Sequence, residues 1–192
     1  MAQWYEYQSY LIRRKILKLF GGVFHVYNPH GEVVLYAKMK AFKLKEDIRL
    51  YTGEDMQTEL LTIKARRVID FSSEYDVYDA TTNEKVGALK RKGLKSMFKD
   101  EWLFLDTSDR QIGSIKEDTI LLALLRRFLT NLIPQKYVGE INGTTVCKFA
   151  QNFNPFVIKI NADFFDDKDN LLDRRLGIAA AILLCAIEGK QS

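Results

Sequence analysis

The apolar run LGIAAAILLCAI, residues 176–187, decides the fold of this chain. It carries no charged residue, so a helix built from it has no face for water to solvate. It is also shorter than the roughly 20 apolar residues that a membrane span requires. The run therefore predicts a helix, over about residues 170–188, that protein encloses on all sides. The residues expected to contact the enclosing wall are Leu176, Ile178, Ala180, Ile182, Leu183 and Ile187.

A fourfold repeat in the first 110 residues supplies the wall. Its units begin with LIRRKILKL at Leu11, YAKMKAFKL at Tyr36, TIKARRVID at Thr62 and ALKRKGLKS at Ala88. A fixed period indicates that one supersecondary unit is used repeatedly. In every unit two basic residues stand two positions apart, with a period of 25 or 26 residues. These eight residues are Arg13, Lys15, Lys38, Lys40, Lys64, Arg66, Lys90 and Lys92.

Each unit continues into a segment with the period of a β-strand. The segments are FHVYN, IRLYT, YDVYD and WLFLD, in which alternate positions are aromatic or aliphatic. Turn-forming residues follow each segment, so four units give about eight strands of an antiparallel meander. The stretch SYLIRRKILKLFGG, residues 9–22, taken alone also fits a basic amphipathic helix on a membrane. Its three later copies favour the first strand of the meander.

The second half of the chain completes the predicted fold. Apolar spacing predicts a further helix over about residues 116–134, and three more strands follow, two of them joined by a turn at Asn142 and Gly143. The strands then cover about residues 9–115 and 137–161. Ten to twelve strands that close leave a lumen for one helix and remove the exposed sheet edges. We therefore predict one mainly β domain over residues 1–192, a closed antiparallel barrel around the C-terminal helix.

Three stretches carry a family resemblance: YLIRRKILKLFGGVFHVYNPHGEVV from Tyr10, YDVYDATTNEKVGALKRKGLKSMF from Tyr75, and NFNPFVIKINADFFDDKDNLLDRRLGIAAAILLCAIEG from Asn152. They resemble the phospholipid scramblase-related and LURP-one-related proteins of the tubby C-terminal-domain-like superfamily, over roughly residues 9–189. The resemblance implies a twelve-stranded barrel around a central hydrophobic helix. It also implies lipid as a ligand class, because tubby domains bind phosphoinositide head groups through basic residues. The chain lacks the cysteine cluster usual in animal scramblases, so lipid transport is not expected.

The eight paired basic residues of the repeat are the main candidate binding site. Residues two apart on a strand face the same side, so the four pairs are expected to form a belt on one flank of the barrel. Clustered Lys and Arg attract lipid phosphates by about 1 kcal/mol per residue near an anionic surface. The sequence therefore favours an anionic phospholipid head group or membrane surface as partner. The alternative is a solvated outer face whose basic side chains protect the strands against aggregation.

Five acidic residues precede the C-terminal helix, and carboxylates are the ligands that calcium prefers. Scramblases have an acidic, calcium-associated stretch in this region, but the spacing here is not that of an EF-hand loop. A solvated linker with charge at the helix N-terminus, through Asp169 or Asp173, is the alternative. The weak calcium candidates are Asp163, Asp166, Asp167 and Asp169, and no metal or other cofactor is expected.

Signals of catalysis are thin, and the chain is expected not to be an enzyme. No nucleophile elbow, phosphate-binding glycine loop or paired cysteine ligand set occurs in the sequence. His25 is placed in a strand without a nucleophile beside it, and His30 in a turn. Cys147 and Cys185 are expected to be buried thiols, which fits a reducing compartment.

The net charge and the distribution of apolar residues limit which other partners are expected. The net charge of +4 is too small to demand nucleic acid, so no nucleic-acid partner is expected. The N-terminus lacks the order of a signal peptide, which predicts a cytoplasmic protein, peripheral to a membrane if it binds lipid. The helix predicted at 116–134 has more apolar surface than one packed face needs. The helix is expected to pack on the barrel, for example over one end, and the alternatives are that it dips into a membrane or contacts a protein partner or a second copy. A contact with a partner is the competing interpretation, in which the barrel is an interaction scaffold.

Overall fold

The computed structural model describes residues 3–17, 21–39, 47–69, 72–92, 101–117, 135–152 and 157–188. Within these ranges twelve antiparallel strands form one closed barrel, and a helix follows them, which confirms the predicted fold class. The strands are β1 (Ser9–Leu17), β2 (Gly21–Tyr27), β3 (Val33–Met39), β4 (Ile48–Tyr51), β5 (Glu59–Ile69), β6 (Ser72–Asp79), β7 (Glu84–Arg91), β8 (Glu101–Leu105), β9 (Gln111–Glu117), β10 (Lys136–Ile141), β11 (Thr144–Gln151) and β12 (Val157–Asp163). The helix is α1 (Arg174–Glu188).

The barrel is a meander that closes on itself. Every strand pairs with the next along the chain, and β1 also pairs with β12. Ile12 of β1 stands opposite Val26 of β2 on one side and Ile160 of β12 on the other. Closure pairs the two strands that would otherwise be sheet edges. It also makes neighbours of residues from the two ends of the chain, which matters for the site below.

Side chains alternate between the lumen and the outer surface, as the period of a strand requires. In β1 the lumen receives Tyr10, Ile12 and Arg14, all of them buried, whereas Arg13 and Lys15 point outward and are exposed. The basic-x-basic motif therefore places its cations outside because the intervening residue packs inside. The largest fully buried side chains are Trp102, Tyr75, Tyr137, Phe24, Phe104, Phe149 and Phe164.

Helix α1 fills the lumen. Its residues Leu176, Ile178, Ala180, Ile182 and Leu183 are all at least 98% buried, and Ile187 lies within the helix but its side chain is outside the described residues. The helix begins at Arg174, four residues later than predicted, because residues 164–173 form turns instead. The Asp173 carboxylate caps this N-terminus by accepting the Arg175 N–H at 2.9 Å. Gly177 allows α1 to approach the Phe164 ring, where a Cβ would clash.

Arg14 is a cation that points into the lumen, and it stabilises the opposite end of α1. Its guanidinium donates hydrogen bonds to the carbonyls of Cys185, at 3.2 Å, and Ala186, at 3.0 Å. The last carbonyls of a helix have no partner within the helix, and a cation there also complements the helix dipole. Residue type does not separate Arg14 from its exposed neighbours, since all three residues 13–15 are basic, but the strand period places Arg14 on the same side as Ile12.

The helix predicted at 116–134 and the partner contact assigned to it fall almost entirely outside the described residues. Strand β9 continues through Glu117, two residues into the helix predicted at 116–134. Residues 118–134, and with them the predicted contact for a partner or second copy, lie outside the described residues. Among the residues described, no helix has the length and apolar character needed to cross a membrane.

Candidate anion-binding surface

Outward residues of four neighbouring strands line up in two rows. In the first row Arg13 of β1 stands between Lys159 of β12 and His25 of β2, and His25 stands next to Tyr36 of β3. In the second row Lys15 stands between Val157 and Val23, and Val23 stands next to Lys38. Adjacent strands are about 4.8 Å apart, so the two rows form one continuous surface.

Four cations lie on this surface, and we call Arg13, Lys15, Lys38 and Lys159 the basic face. All four are exposed, and none forms an ion pair with any described residue. Arg13 and Lys159 are direct cross-strand neighbours, an arrangement of like charges that destabilises a sheet. The acid that reaches the rows is Glu54, which contacts His25 at 2.9 Å and has a side chain 74% exposed. The basic face is therefore a concentration of positive charge without internal compensation among the described residues.

The opposite arrangement occurs around β6, in what we call the paired face: Arg66, Lys85, Lys90, Glu74, Asp76 and Asp109. Arg66 forms a two-pronged contact with Asp76 and also reaches Asp109 at 2.9 Å. Lys85 contacts Asp109 at 2.6 Å and Asp76 at 3.2 Å. Lys90 contacts Glu74, its cross-strand neighbour, at 2.5 Å. Every cation of the paired face thus has at least one carboxylate.

The ion pairs of the paired face shift the pKa values of its acids. Hydrogen bonds from Arg66 and Lys85 lower the pKa of Asp109 to about 2. Burial raises the pKa of Asp76, but hydrogen bonds from the same two cations outweigh burial and the pKa lies below its ordinary value. Both carboxylates are therefore charged at neutral pH, and the cations they hold have little positive charge left to offer an outside anion.

The eight residues predicted as one belt are thus divided. Arg13, Lys15 and Lys38 lie together on the basic face, and Lys64 on β5 is exposed without an ion pair to any described residue. Arg66 and Lys90 belong to the paired face, and Lys92 is bound by Glu101 at 3.1 Å. Lys40 lies outside the described residues.

A groove crosses the outer wall beside the basic face. It has a volume of about 550 Å³ and runs over β12, β1 and β2, with the β2–β3 turn as one side. Arg13 and Lys159 line it, together with Asn161, Asp163, Tyr27 and Asn28. The turn is held in place by the Asn28 side chain, whose carbonyl oxygen accepts the backbone N–H groups of His30 and Glu32, both at 3.0 Å. The β2–β3 turn therefore forms a fixed side of the groove, and the two cations lie at one end of it.

Of the residues that line the groove, the repeat identifies Arg13 but not Lys159. Lys159 lies in FVIKIN, where the strand period places it outward, so its exposure is readable from the sequence. Its position beside Arg13 is not, because that position depends on the closure of β1 onto β12. The strand period therefore identifies Lys159 as an exposed cation but does not identify Arg13 as its neighbour.

Three of the four acidic candidates for calcium have partners of other kinds, and the fourth, Asp169, is exposed. Asp167 is buried and accepts the N–H groups of Leu171, at 2.8 Å, and Leu172, at 3.2 Å. Asp166 pairs with Lys148 at 2.6 Å, and Asp163 accepts the Phe165 N–H at 2.9 Å. Within the described ranges no three acidic, histidine or cysteine side chains are grouped as a metal site requires. These carboxylates therefore shape the loop that leads into α1.

The thiols are placed away from reactive surroundings. Cys147 and Cys185 are both free and buried. Burial raises the pKa of Cys185 to about 12 and raises that of Cys147 as well, so both stay protonated at neutral pH. A thiolate is the reactive form of cysteine, so the two residues pack as small apolar side chains.

Comparison with known proteins gives one family match. A family model described as LURP-one-related matches residues 33–171, which is more than half of the chain. The match starts at the first residue of β3 and ends shortly before α1. No curated protein matches the chain.

Proposed function

Because the chain belongs to the LURP-one-related family, we propose a function for it from that family's fold and from the basic face: a non-catalytic β-barrel that binds anionic phospholipid head groups at a membrane surface. The wider relation to tubby domains and phospholipid scramblases, which the sequence resembles, is part of this proposal. So is a cytoplasmic location on the membrane periphery.

One observation carries the proposal. Four exposed cations share two adjacent rows of the barrel wall, and none of them has an ion pair among the described residues. Keeping like charges side by side costs stability, and an external anion offsets that cost. A membrane surface rich in anionic lipid attracts each basic residue by about 1 kcal/mol, so four residues together support binding of useful strength.

The test is co-sedimentation with vesicles of phosphatidylglycerol or of phosphatidylcholine. Two double variants remove the same charge: Lys15→Gln with Lys38→Gln on the basic face, and Lys90→Gln with Lys92→Gln where each lysine has a carboxylate partner. We expect phosphatidylglycerol binding to fall about 10- to 30-fold in the first variant and less than about threefold in the second. Recovery on phosphatidylcholine should be low throughout.

Two outcomes would overturn the proposal. Equal recovery of the unmodified protein on both kinds of vesicle would show that anionic charge is not recognised. An equal loss in the two double variants would show that net charge, and not the basic face, governs binding. Each variant should first be shown to unfold at the same urea concentration as the unmodified protein.

A further inference from the structure

The groove beside the basic face has opposite charges at its two ends. Arg13 and Lys159 form one cross-strand pair, and Asp163 stands opposite Ser9 four residues further along the same two strands. At a rise of about 3.3 Å per residue the two pairs are about 13 Å apart along the wall. Asn161 lies midway between them on β12. The groove is therefore polar along its length, with cations at one end and a carboxylate at the other.

The three charged groups, Arg13, Lys159 and Asp163, are not held by ion pairs among the described residues. Lys148, the cross-strand neighbour of Asp163 on β11, contacts Asp166 at 2.6 Å. Asp163 uses one carboxylate oxygen to accept the Phe165 N–H at 2.9 Å. That bond fixes the orientation of the carboxylate, and a carboxylate has four acceptor positions, so it keeps capacity for a further donor.

Size also fits a small ligand. At about 550 Å³ the groove lies within the range of roughly 300–1,000 Å³ that small-molecule sites in proteins occupy. Tyr27 and Pro29 supply an apolar side, and Asn161 supplies an amide that can donate and accept hydrogen bonds.

We propose that this groove binds the phosphate ester of an amino alcohol, with the phosphate at Arg13 and Lys159 and the ammonium group at Asp163. Arg and Lys are the usual protein partners of phosphate, and a carboxylate is the usual partner of an ammonium group. A ligand with a second phosphate at the far end is repelled by Asp163. The proposal rests on the proposed function where the ester is a phospholipid head group. The same chemistry also admits a soluble phosphate ester of an amino alcohol.

Binding of two soluble diesters tests the groove, because they carry the same phosphate and differ at one group. Glycerophosphoethanolamine ends in an amine and glycerophosphoglycerol ends in a hydroxyl. By calorimetry we expect the unmodified protein to prefer the amine about fivefold, and Asp163→Asn to abolish that preference. Asparagine keeps an oxygen that accepts the Phe165 N–H, so this variant removes the charge and not the turn.

Arg13→Gln should weaken both diesters about tenfold, since a charge-assisted hydrogen bond to phosphate is lost. Lys64→Gln is the matched control, because Lys64 on β5 is also an exposed cation without an ion pair to any described residue, and it lies outside both the basic face and the groove. It should change neither affinity by more than about twofold. Equal affinity for the two diesters, a preference that survives Asp163→Asn, or equal losses in the Arg13 and Lys64 variants would each overturn the proposal.

Vesicle binding distinguishes the groove proposal from the proposed membrane function of the basic face. It also shows whether the ester is a phospholipid head group or a soluble molecule. Phosphatidylglycerol vesicles that bind while the diesters show no amine preference would refute the groove and leave the basic face in place. An Asp163-dependent preference for the amine-bearing diester with no vesicle binding would support the groove as a site for a soluble phosphate ester of an amino alcohol. It would also refute the membrane function. Adding phosphatidylethanolamine at constant anionic lipid should strengthen vesicle binding of the unmodified protein and not of Asp163→Asn if the ester is a head group.

Discussion

The basic face and the paired face come from the same repeat, yet they treat its cations in opposite ways. On each face the repeat places cations on two strands, β1 and β3 or β5 and β7, with one strand of the meander between them, and closure adds Lys159 of β12 to the basic face. Between β1 and β3 the separating strand turns Val23 and His25 outward, whereas between β5 and β7 it turns Glu74 and Asp76 outward. The outward residues of the strand between two basic strands therefore determine whether the cations form ion pairs within the barrel. Arg66 and Lys90 do so, whereas Lys15 and Lys38 have no ion pair among the described residues.

This difference assigns distinct tasks to the two sides of one wall. On the paired face, Asp76 and Asp109 link β5, β6, β7 and the β8–β9 turn through shared cations. Such a network stabilises the fold and offers little to an external anion. Among the described residues the cations of the basic face form no comparable network, and their like charges lie side by side at a cost in stability.

The largest expected effect concerns the helix that supports both faces. Ala180→Glu places a carboxylate in the lumen, where Ala180 is 2% exposed, and should destabilise the protein by at least about 5 kcal/mol. Ala150→Glu is the matched control, since Ala150 stands opposite Lys136 and Asn161 on the outer side of the wall and should change stability by less than about 1 kcal/mol. Urea unfolding followed by circular dichroism measures both. An Ala180→Glu variant with the urea midpoint of the unmodified protein would contradict the enclosed helix.

The next effect distinguishes the two faces by removing one acid from each. Asp76→Ala leaves Arg66 and Lys85 facing each other with one carboxylate fewer and should cost about 2 kcal/mol of unfolding free energy. Glu54→Ala removes the exposed acid that reaches His25 on the basic side and should cost less than about 0.5 kcal/mol. Similar shifts of the urea midpoint in the two variants would mean that the faces do not differ in stability.

Acid should act on the paired face through Asp109. Its folded pKa of about 2 lies below the ordinary value of 3.8, so the charged carboxylate stabilises the folded state above about pH 4. This contribution is lost as the pH falls from about 4 to about 2. Asp109→Asn should therefore flatten the fall of the urea midpoint across that interval. An unchanged slope would show that Arg66 and Lys85 do not hold Asp109 in solution.

The smallest effect concerns the basic face itself. Lys15→Gln with Lys38→Gln relieves repulsion among like charges, so stability at low salt should stay equal or rise by up to about 0.5 kcal/mol. The difference should vanish near 1 M salt, where the screening length is about 3 Å. The measurement is thermal unfolding at low and high salt. A loss of more than about 1 kcal/mol would show that the two lysines are part of the structural network after all.

Much of the fold could be predicted because its determinants are local. The apolar run in α1, the alternation in the strands and the turn pair Asn142 and Gly143 each act over a few residues, and both turn residues adopt positive φ. The candidate site could be predicted only in part. Arg13, Lys15 and Lys38 were identified through the repeat, whereas Lys159 and Asp163 were not grouped with them because no pattern in the sequence sets the register of β12 against β1.

By itself, then, the sequence determined that the chain would wrap a β-wall around an apolar helix and that its repeated cations would face outward. Both follow from which side chains water can solvate, and that is fixed residue by residue. The tertiary structure alone decided which cations remain unpaired, because electrostatic interaction depends on distance through space. The β6–β7 register placed Glu74 beside Lys90, the bulge in β5 at Arg66 lies where Arg66 contacts Asp76, and closure of β1 onto β12 placed Lys159 beside Arg13.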